Sequence, residues 1–208
     1  RRQRQMCIRD RPHIVFRQHD PDYFPGPGVW QTNTEPSTSG HSQPPVLASV
    51  ILRMVRMGTA YDSRKAREVF PRLMAYHRWF CSARDPQGTG VIGIIHPWES
   101  GRDNCPDWDI GMNSITVPDN LMSYNRRDTS HIDSEQRPTQ SQYDRFITIV
   151  QFGREVGWDH HAIHARGPFL MADPGVQFIL LRACRDLLEL AHLLDMNQAF
   201  DEIREWID

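Results

Sequence analysis

The stretch on which the interpretation of this chain depends is His96-Pro97-Trp98-Glu99-Ser100-Gly101-Arg102-Asp103-Asn104-Cys105-Pro106-Asp107-Trp108-Asp109, which we call the acid-tryptophan loop. It holds four carboxylic acids and two tryptophans within fourteen residues. Pro97, Gly101 and Pro106 argue against one uninterrupted helix, because proline lacks a backbone donor and glycine leaves the backbone unrestrained. The acids and indole rings are therefore expected to lie close together. Such a pairing suits a sugar, whose C–H face stacks on an indole while carboxyl groups bind its hydroxyls.

The composition is that of a globular chain. Its 208 residues are 39% hydrophobic and 24% charged, which is typical of one folded domain. The formal net charge is −2, and no basic face for nucleic acid is expected. The longest strongly apolar run, residues 46–52, is seven residues long, too short to cross a bilayer. We therefore expect neither nucleic acid nor a membrane as a partner.

The cysteines lie far apart and form no Cys-x-x-Cys pair; they are Cys7, Cys81, Cys105 and Cys184. This pattern favours reduced thiols in a cytoplasmic protein over a disulfide framework or a zinc site. The arginine-rich start has no apolar segment of the secretory type. We expect residues 1–28 to be irregular and to include sequence that is not native.

The aromatic residues Tyr23, Phe24 and Trp30 lie in a loop-rich segment and are unusual for a mere linker. Aromatic residues in such a polar loop either border a binding pocket or pack over the end of a domain.

Apolar spacing and helix-ending signals predict an all-α chain. The predicted helices cover approximately residues 44–57, 62–80, 108–117, 138–156, 174–194 and 195–208. Asp62 is the expected N-cap of the second helix, and Asp173 followed by Pro174 opens the fifth. No convincing run of alternating strand residues is present. The last helix has no closing glycine or proline, so we expect the chain to be cut there.

Asp103 is the carboxyl that we single out as a catalytic candidate. It follows Gly101 and lies between two tryptophans, which could supply the apolar setting that raises the pKa of a general acid. The alternative is that Asp103, like Asp107 and Asp109, merely caps a turn or a helix. Glu99 has the same ambiguity and is also a candidate for accepting hydrogen bonds from backbone amides.

Two further polar segments have a functional and an ordinary interpretation. His160, His161 and His164 could place two imidazoles on one helical face, but no glutamate stands where a zinc hydrolase needs it. We expect them to be loop or helix-end histidines and predict no metal site. Arg126–Arg127 and Arg137 lie in a charged loop that is either simply solvated or able to grip a substrate carboxylate through paired hydrogen bonds.

The acid-tryptophan loop resembles the signature loop of glycoside hydrolase family 63, most of all that of its bacterial mannosylglycerate and glucosylglycerate hydrolases. The core Glu99-Ser100-Gly101-Arg102-Asp103 is also similar to the trehalase family on the same scaffold. The likeness runs from about Val29 to about Leu194. It is supported by the weaker segments Thr38-Ser39-Gly40-His41-Ser42-Gln43-Pro44-Pro45, Arg137-Pro138-Thr139 with Tyr143-Asp144-Arg145, and Asp173-Pro174 with Leu181-Arg182-Ala183.

This resemblance implies a portion, about half, of an (α/α)6 barrel and the inverting hydrolysis of an α-glycoside, with no metal or other cofactor. It places the general acid on Asp103. The sugar contacts it implies are Gln43, Trp98 and Gly101, and Arg137 is the candidate for the carboxylate of a glycerate group.

One feature of the family is missing from the sequence. Its general base is a glutamate from the C-terminal half of the barrel, whereas inversion needs two carboxyls about 6.5–9.5 Å apart. Glu189, Glu202 and Glu205 lie in ordinary helical patterns, and we do not assign them this role. We therefore expect residues 29–208 to be the N-terminal or central part of a catalytic domain, truncated at its C-terminus and inactive alone. Cys105 stands where a serine is expected.

The expected substrate is a small α-glucoside or α-mannoside such as glucosylglycerate or mannosylglycerate. Two alternatives remain open on the sequence. One is a carbohydrate-binding helical protein without catalysis, and the other is a trehalase-like α-glucosidase.

Overall fold

The computed structural model describes residues 11–18, 20, 23–58, 63–129 and 133–208. These residues form two compact units that are each built from separate parts of the chain. The first unit contains the described parts of residues 11–43 and 93–171, and the second those of residues 44–92 and 172–208. The predictions for residues 1–10, and for Asp62 as an N-cap, lie outside the described residues.

The described chain is mainly helical, as predicted. Its α-helices are α1 (Pro27–Trp30), α2 (Leu47–Arg56), α3 (Ser63–Arg84), α4 (Asp109–Asn113), α5 (Gln140–Glu155), α6 (His160–Arg166), α7 (Pro174–Leu193) and α8 (Phe200–Glu205). Turns of 3₁₀-helix occupy Pro97–Glu99, Pro106–Trp108, Ser134–Gln136 and Asn197–Ala199. The strands are β1 (Val15–Phe16), β2 (Ser37–Thr38), β3 (Gly93–Ile94) and β4 (Met171–Ala172). β1 pairs antiparallel with β2, with Val15 opposite Thr38, so residues 1–28, predicted to be irregular, contain a strand and the start of α1.

The N-cap predicted at Asp173 is confirmed, because its carboxylate accepts the backbone N–H groups of Gly175 and Val176 at 3.0 and 3.3 Å. The last predicted helix starts later than expected. Asp195 has a φ of +57°, and this left-handed conformation ends the preceding helix instead of opening the next one. A 3₁₀ turn follows, and α8 begins only at Phe200.

Other helix predictions also need correction at their ends, and the helix predicted to end at residue 80 runs to Arg84. α2 begins at Leu47 and not at Pro44, because a proline disfavours helical geometry in the residue before it, and Pro44 precedes Pro45. The helix predicted over residues 108–117 is shorter and ends at Asn113. Among the described cysteines, Cys81, Cys105 and Cys184 form no disulfide.

The core of the second unit lies where α2 and α8 pack against α7. Leu187, Leu190 and Leu194 repeat at intervals of three and four along this helix, and none is more than 1% exposed. Each such side chain contributes about 1.5–3 kcal/mol when it is buried. Helix spacing and burial therefore agree here, as expected of an amphipathic helix. Within the described residues, no helix is both long and apolar enough to cross a membrane.

The core of the first unit is centred on a pair of tryptophans. Trp30 is fully buried, and its indole N–H donates to the carbonyl of Pro25 at 2.9 Å. The indole N–H of Trp158 donates to the carbonyl of Trp30 at 2.8 Å. A Cβ atom at Gly40 would lie 2.1 Å from the Trp158 ring, and one at Gly153 would lie 2.5 Å from it. Trp158 therefore occupies space that exists only because both positions are glycine.

Gly153→Ala should lower the free energy of unfolding by up to about 2 kcal/mol. Alanine is the better helix former by about 1 kcal/mol, but overpacking a core costs about 1–3 kcal/mol. The clash prevails because Trp158 is only 2% exposed and hydrogen-bonded. Urea denaturation measures the change. Gly28→Ala is the matched control, because its Cβ would meet nothing within 4 Å; equal effects of the two changes would contradict the packing argument.

Candidate active site

The acid-tryptophan loop is broken into short turns, as its prolines and glycine predict. Pro97–Glu99 and Pro106–Trp108 are single 3₁₀ turns. Gly101 lies between them with a φ of +73°. This left-handed conformation costs about 1–2 kcal/mol for a residue with a side chain. The glycine therefore lets the chain reverse direction just before Asp103.

Glu99 fixes this loop in place through its buried carboxylate. Only 4% of the residue is exposed. Its Oε1 accepts the backbone N–H of Ser42 at 2.9 Å, and its Oε2 accepts that of Ile95 at 3.1 Å. The interpretation of Glu99 as an acceptor for backbone amides is thus confirmed. The carboxylate joins the loop to the segment that carries Gln43.

His96 is a second anchor, to which the sequence analysis assigned no role. Its Nδ1 accepts the backbone N–H of Trp98 at 3.0 Å, so Nε2 carries the proton and donates to the carbonyl of Phe146 at 3.2 Å. Burial is the main cause that lowers the pKa of His96 well below its usual value. The neutral ring therefore ties the loop to α5. The sequence signal that could have revealed this role is the position of His96 directly before Pro97, where it is the N-cap of a short turn.

A cleft of about 220 Å³ lies beside the loop, and we call it the aromatic cleft. Its aromatic lining includes Tyr23, Phe24, Trp30, Trp98, Tyr143 and Phe146. For Tyr23 and Phe24 the structure thus favours the border of a pocket, whereas the fully buried Trp30 also belongs to the core of the first unit. The polar lining includes His13, Asp103, Asp128 and Arg137. Flat rings with a few polar groups are the usual walls of a small-molecule site.

A second cleft of about 210 Å³, which we call the polar cleft, shares part of its lining with the first. Asp103 and Arg137 line both clefts. The polar cleft adds Asp109 and Glu135. Asp103 therefore stands where a bound molecule could reach it from an aromatic side and from a polar side.

The carboxyl of Asp103 is shifted toward its protonated form. Its side chain is exposed to the clefts, yet nearby protein atoms displace enough water that desolvation raises its pKa above the usual value. A hydrogen bond from its own backbone and the charge of Arg137 act in the opposite direction and are smaller. A raised pKa is what a carboxyl needs to act as a general acid.

Arg137 takes part in a cluster of three charges. The carboxylate of Asp128 accepts Nε and Nη2 of Arg126 at 3.0 and 2.7 Å, and Nε of Arg137 at 3.2 Å. These bonds, those from Arg126 first, lower the pKa of Asp128. The Arg126 guanidinium also lies 4.5 Å from the ring centre of Tyr143. The two guanidinium groups therefore share one carboxylate, and of the two only Arg137 is in the lining of the clefts.

Not every predicted site residue lies at the clefts. Trp98, Asp103 and Arg137 are brought together, whereas Gln43 and Gly101 are absent from the lining of both clefts. The sugar contacts expected of these two residues stay predictions.

The histidines His160, His161 and His164 lie on α6, and among the described residues no three potential ligands gather to hold a metal ion. In the second unit, Glu189 pairs with Arg56 and Glu202 pairs with Arg78. That neither glutamate is the general base stays a prediction.

A helical chain with a carboxyl of raised pKa beside an aromatic cleft has the features of the class of helical carbohydrate-active domains. Comparison with known proteins defines the family. Residues 1–208 match the family model of the mannosylglycerate hydrolase MGH1-like glycoside hydrolase domain, and the chain belongs to this family.

Characterised relatives agree with this assignment. The chain is 44% identical over 200 residues to a mannosylglycerate hydrolase of Thermus thermophilus, covering 94% of this chain and 48% of the relative. It is 34% identical over 194 residues to a glucosylglycerate hydrolase of Mycolicibacterium hassiacum, covering 86% and 43% respectively.

The fold is shared with a solved structure of the same kind. A crystal structure of a family 63 mannosylglycerate hydrolase from Thermus thermophilus, in complex with Tris and D-glycerate, matches with a TM-score of 0.89 and 43% identity. The match covers 96% of this chain and 48% of that one. The chain thus spans about half the length of the relatives it matches. The resemblance to family 63 is confirmed, as is the all-α class, and the half-length match agrees with a portion of an (α/α) barrel.

Glu99→Gln should lower the free energy of unfolding by about 1–3 kcal/mol, because the amide places a donor against a buried backbone N–H. Thermal or urea unfolding measures the change. Glu135→Gln is the matched control, since Glu135 is exposed and surface substitutions usually stay within about 0.5 kcal/mol. A Glu99→Gln protein as stable as the control would show that the two backbone contacts do not hold the loop.

Proposed function

We propose that this chain supplies the general-acid side of an inverting glycoside hydrolase. The proposed substrate is a small α-glucoside or α-mannoside, with glucosylglycerate and mannosylglycerate as the compounds to test. The observation that carries the proposal is the carboxyl of Asp103, whose raised pKa and position in the lining of both clefts suit a proton donor. The relatives named above support it by their own activities.

In this mechanism the protonated carboxyl of Asp103 gives its proton to the glycosidic oxygen as the bond from that oxygen to the anomeric carbon breaks. A water molecule attacks the same carbon from the opposite face, and a second carboxylate removes its proton. That second carboxylate must lie about 6.5–9.5 Å away, so that the water fits between the two acids. We assign it to no glutamate of this chain, and propose that it comes from the half of the relatives' length that the chain does not match.

The aromatic cleft suits the sugar. Trp98 is half-buried, and its ring centre lies 6.2 Å from that of Trp30 and 5.6 Å from that of Phe146. Rings packed in this way leave a rigid apolar wall, on which the C–H face of a pyranose loses little entropy when it stacks.

The cluster of Arg126, Asp128 and Arg137 suits the binding of a negatively charged leaving group. Arg137 lines both clefts and bonds Asp128 through its Nε, which leaves its Nη donors for a glycerate carboxylate. A guanidinium presents two donors at once to such a group. The Thermus thermophilus structure contains D-glycerate, which agrees with this proposal.

Asp103→Asn, in the protein that carries this chain, should reduce kcat by about 10²–10⁴-fold, which is the usual contribution of a general acid. Sugar binding should change little, because asparagine has nearly the same shape. In the unchanged enzyme, kcat/KM should fall as the pH rises above the pKa of Asp103, since the proton to be donated is then lost. The raised pKa of Asp103 moves this fall of kcat/KM to higher pH. The Asp103→Asn variant should not show the fall.

Asp107→Asn is the matched control for this experiment. Asp107 is exposed and pairs with Arg102 at 2.8 Å, so its removal should leave turnover and the pH profile unchanged. Full turnover by Asp103→Asn would exclude Asp103 as the acid. Sugar binding without any turnover that depends on Asp103 would favour the carbohydrate-binding alternative.

Arg137→Lys should raise KM for glycerate-bearing substrates about tenfold or more, because an ammonium replaces the planar pair of donors. Neutral α-glucosides should be little affected, so the ratio of kcat/KM between the two substrate types measures the role of the arginine. Arg127→Lys, on an exposed neighbour, is the control. An enzyme that prefers neutral glucosides and is indifferent to Arg137 would favour the trehalase-like alternative.

A further inference from the structure

His13 lies in the wall of the aromatic cleft, and neither the motifs nor the proposed mechanism uses it. Its backbone is held firmly. The N–H of His13 donates to the carbonyl of His41 at 2.8 Å. The next residue, Ile14, donates to Oγ of Ser39 at 2.9 Å and accepts the backbone N–H of Ser39 at 3.0 Å. These bonds extend the pairing of β1 with β2, so the position of His13 is set by the strand pair.

The imidazole of His13 is oriented by a column of stacked rings. Its centre lies 5.8 Å from that of His41, with 29° between the ring planes. His41 in turn stacks on His96 at 4.9 Å and 20°. His96 is fixed at both nitrogens by the loop and α5. The column therefore begins at the cleft with His13 and ends at a rigid support, which limits how far the first ring can turn.

The hydrogen-bonding atoms of His13 are in different surroundings. Nδ1 is enclosed and has no hydrogen-bond partner in the described part of the chain. Burial lowers the pKa of this histidine, and the charge of Glu99 only partly opposes the shift, so the neutral ring is favoured. An enclosed N–H without a partner is rarer in proteins than an enclosed acceptor without one. The proton therefore belongs on Nε2, and we take this nitrogen to be the one that faces the cleft lined by His13.

We propose that His13 is a specificity-determining residue that donates a hydrogen bond from Nε2 to a hydroxyl of the sugar in the aromatic cleft. The inference rests on the proposed function, because it takes the ligand of the cleft to be a sugar. Trp98 lines the same cleft and is partly exposed, and its apolar ring face does not distinguish one hydroxyl pattern from another. A fixed N–H does, because a polar group built to bind a hydroxyl is left unpaired when that hydroxyl is missing.

The test uses the Asp103→Asn form of the protein that carries this chain, which should bind sugar without turning it over. Calorimetry compares methyl α-glucoside and methyl α-mannoside with their monodeoxy analogues. Adding His13→Phe keeps an aromatic ring in the column and removes the donor. The Kd of the preferred sugar should rise about tenfold, as for the loss of one hydrogen bond. His13→Gln, which retains an N–H donor, should recover part of this loss.

The decisive measurement is selectivity. In the Asp103→Asn parent, one monodeoxy analogue should bind about tenfold more weakly than its full sugar, and in His13→Phe that ratio should fall to about one. Because the ratio is taken within a single protein, a partly unfolded preparation does not change it. His161→Phe, on an exposed face of α6, is the matched control and should leave both Kd and ratio unchanged.

Two failures can be told apart. If the parent binds the sugars and the selectivity of His13→Phe equals that of the parent, the role of His13 is wrong and the proposed function stands. If neither the parent nor the unchanged enzyme binds or hydrolyses any of the glycosides, the proposed function is wrong, and the role of His13 falls with it.

Discussion

The carboxylate of Glu99 is the constraint on which the candidate site depends. It accepts two backbone N–H groups from segments far apart in the sequence, those of Ser42 and Ile95. A buried charge without such bonds would be costly, and a buried N–H without an acceptor nearly as costly. The three groups therefore stabilise one another only in this arrangement. Because Glu99 closes the same short turn that carries Trp98, the bonds also fix the indole at the cleft.

Two aspartates in the cleft lining show how their surroundings assign different roles to one residue type. Asp128 receives hydrogen bonds from two arginines, and its pKa falls. Asp103 is partly desolvated, the charge of Arg137 opposes this effect only in part, and the pKa of Asp103 rises. The first is thus kept as an anion that positions guanidinium groups, and the second is favoured as an acid. Environments that push the pKa values of neighbouring carboxyls apart are the usual basis for assigning acid and base.

The sequence predicted what depends on local pattern and missed what depends on contacts between distant residues. The apolar spacing of α7 is a local pattern. The predicted C-terminal end of this helix therefore differs from the observed one by one residue. The later start of α8 follows from the positive φ of Asp195, which no apolar spacing reveals. The role of Asp103 as the acid stays a proposal, and Asp103 was identified as a candidate because its motif is contiguous. The pairing of Arg137 with Asp128 and the place of His13 at the cleft were not predicted, because each requires knowledge of how separate segments meet.

The two units alternate along the chain, and this order affects how the protein is made. The first unit needs residues 11–43 and 93–171, and the second needs 44–92 and 172–208. Neither unit can therefore complete its hydrophobic core early in translation. Residues 44–92 leave the ribosome before α7 has been synthesised to pack against them. Contacts between distant segments form slowly, and apolar surface that waits for a partner promotes aggregation. Production at low temperature or with chaperones should therefore raise the yield of correctly folded chains.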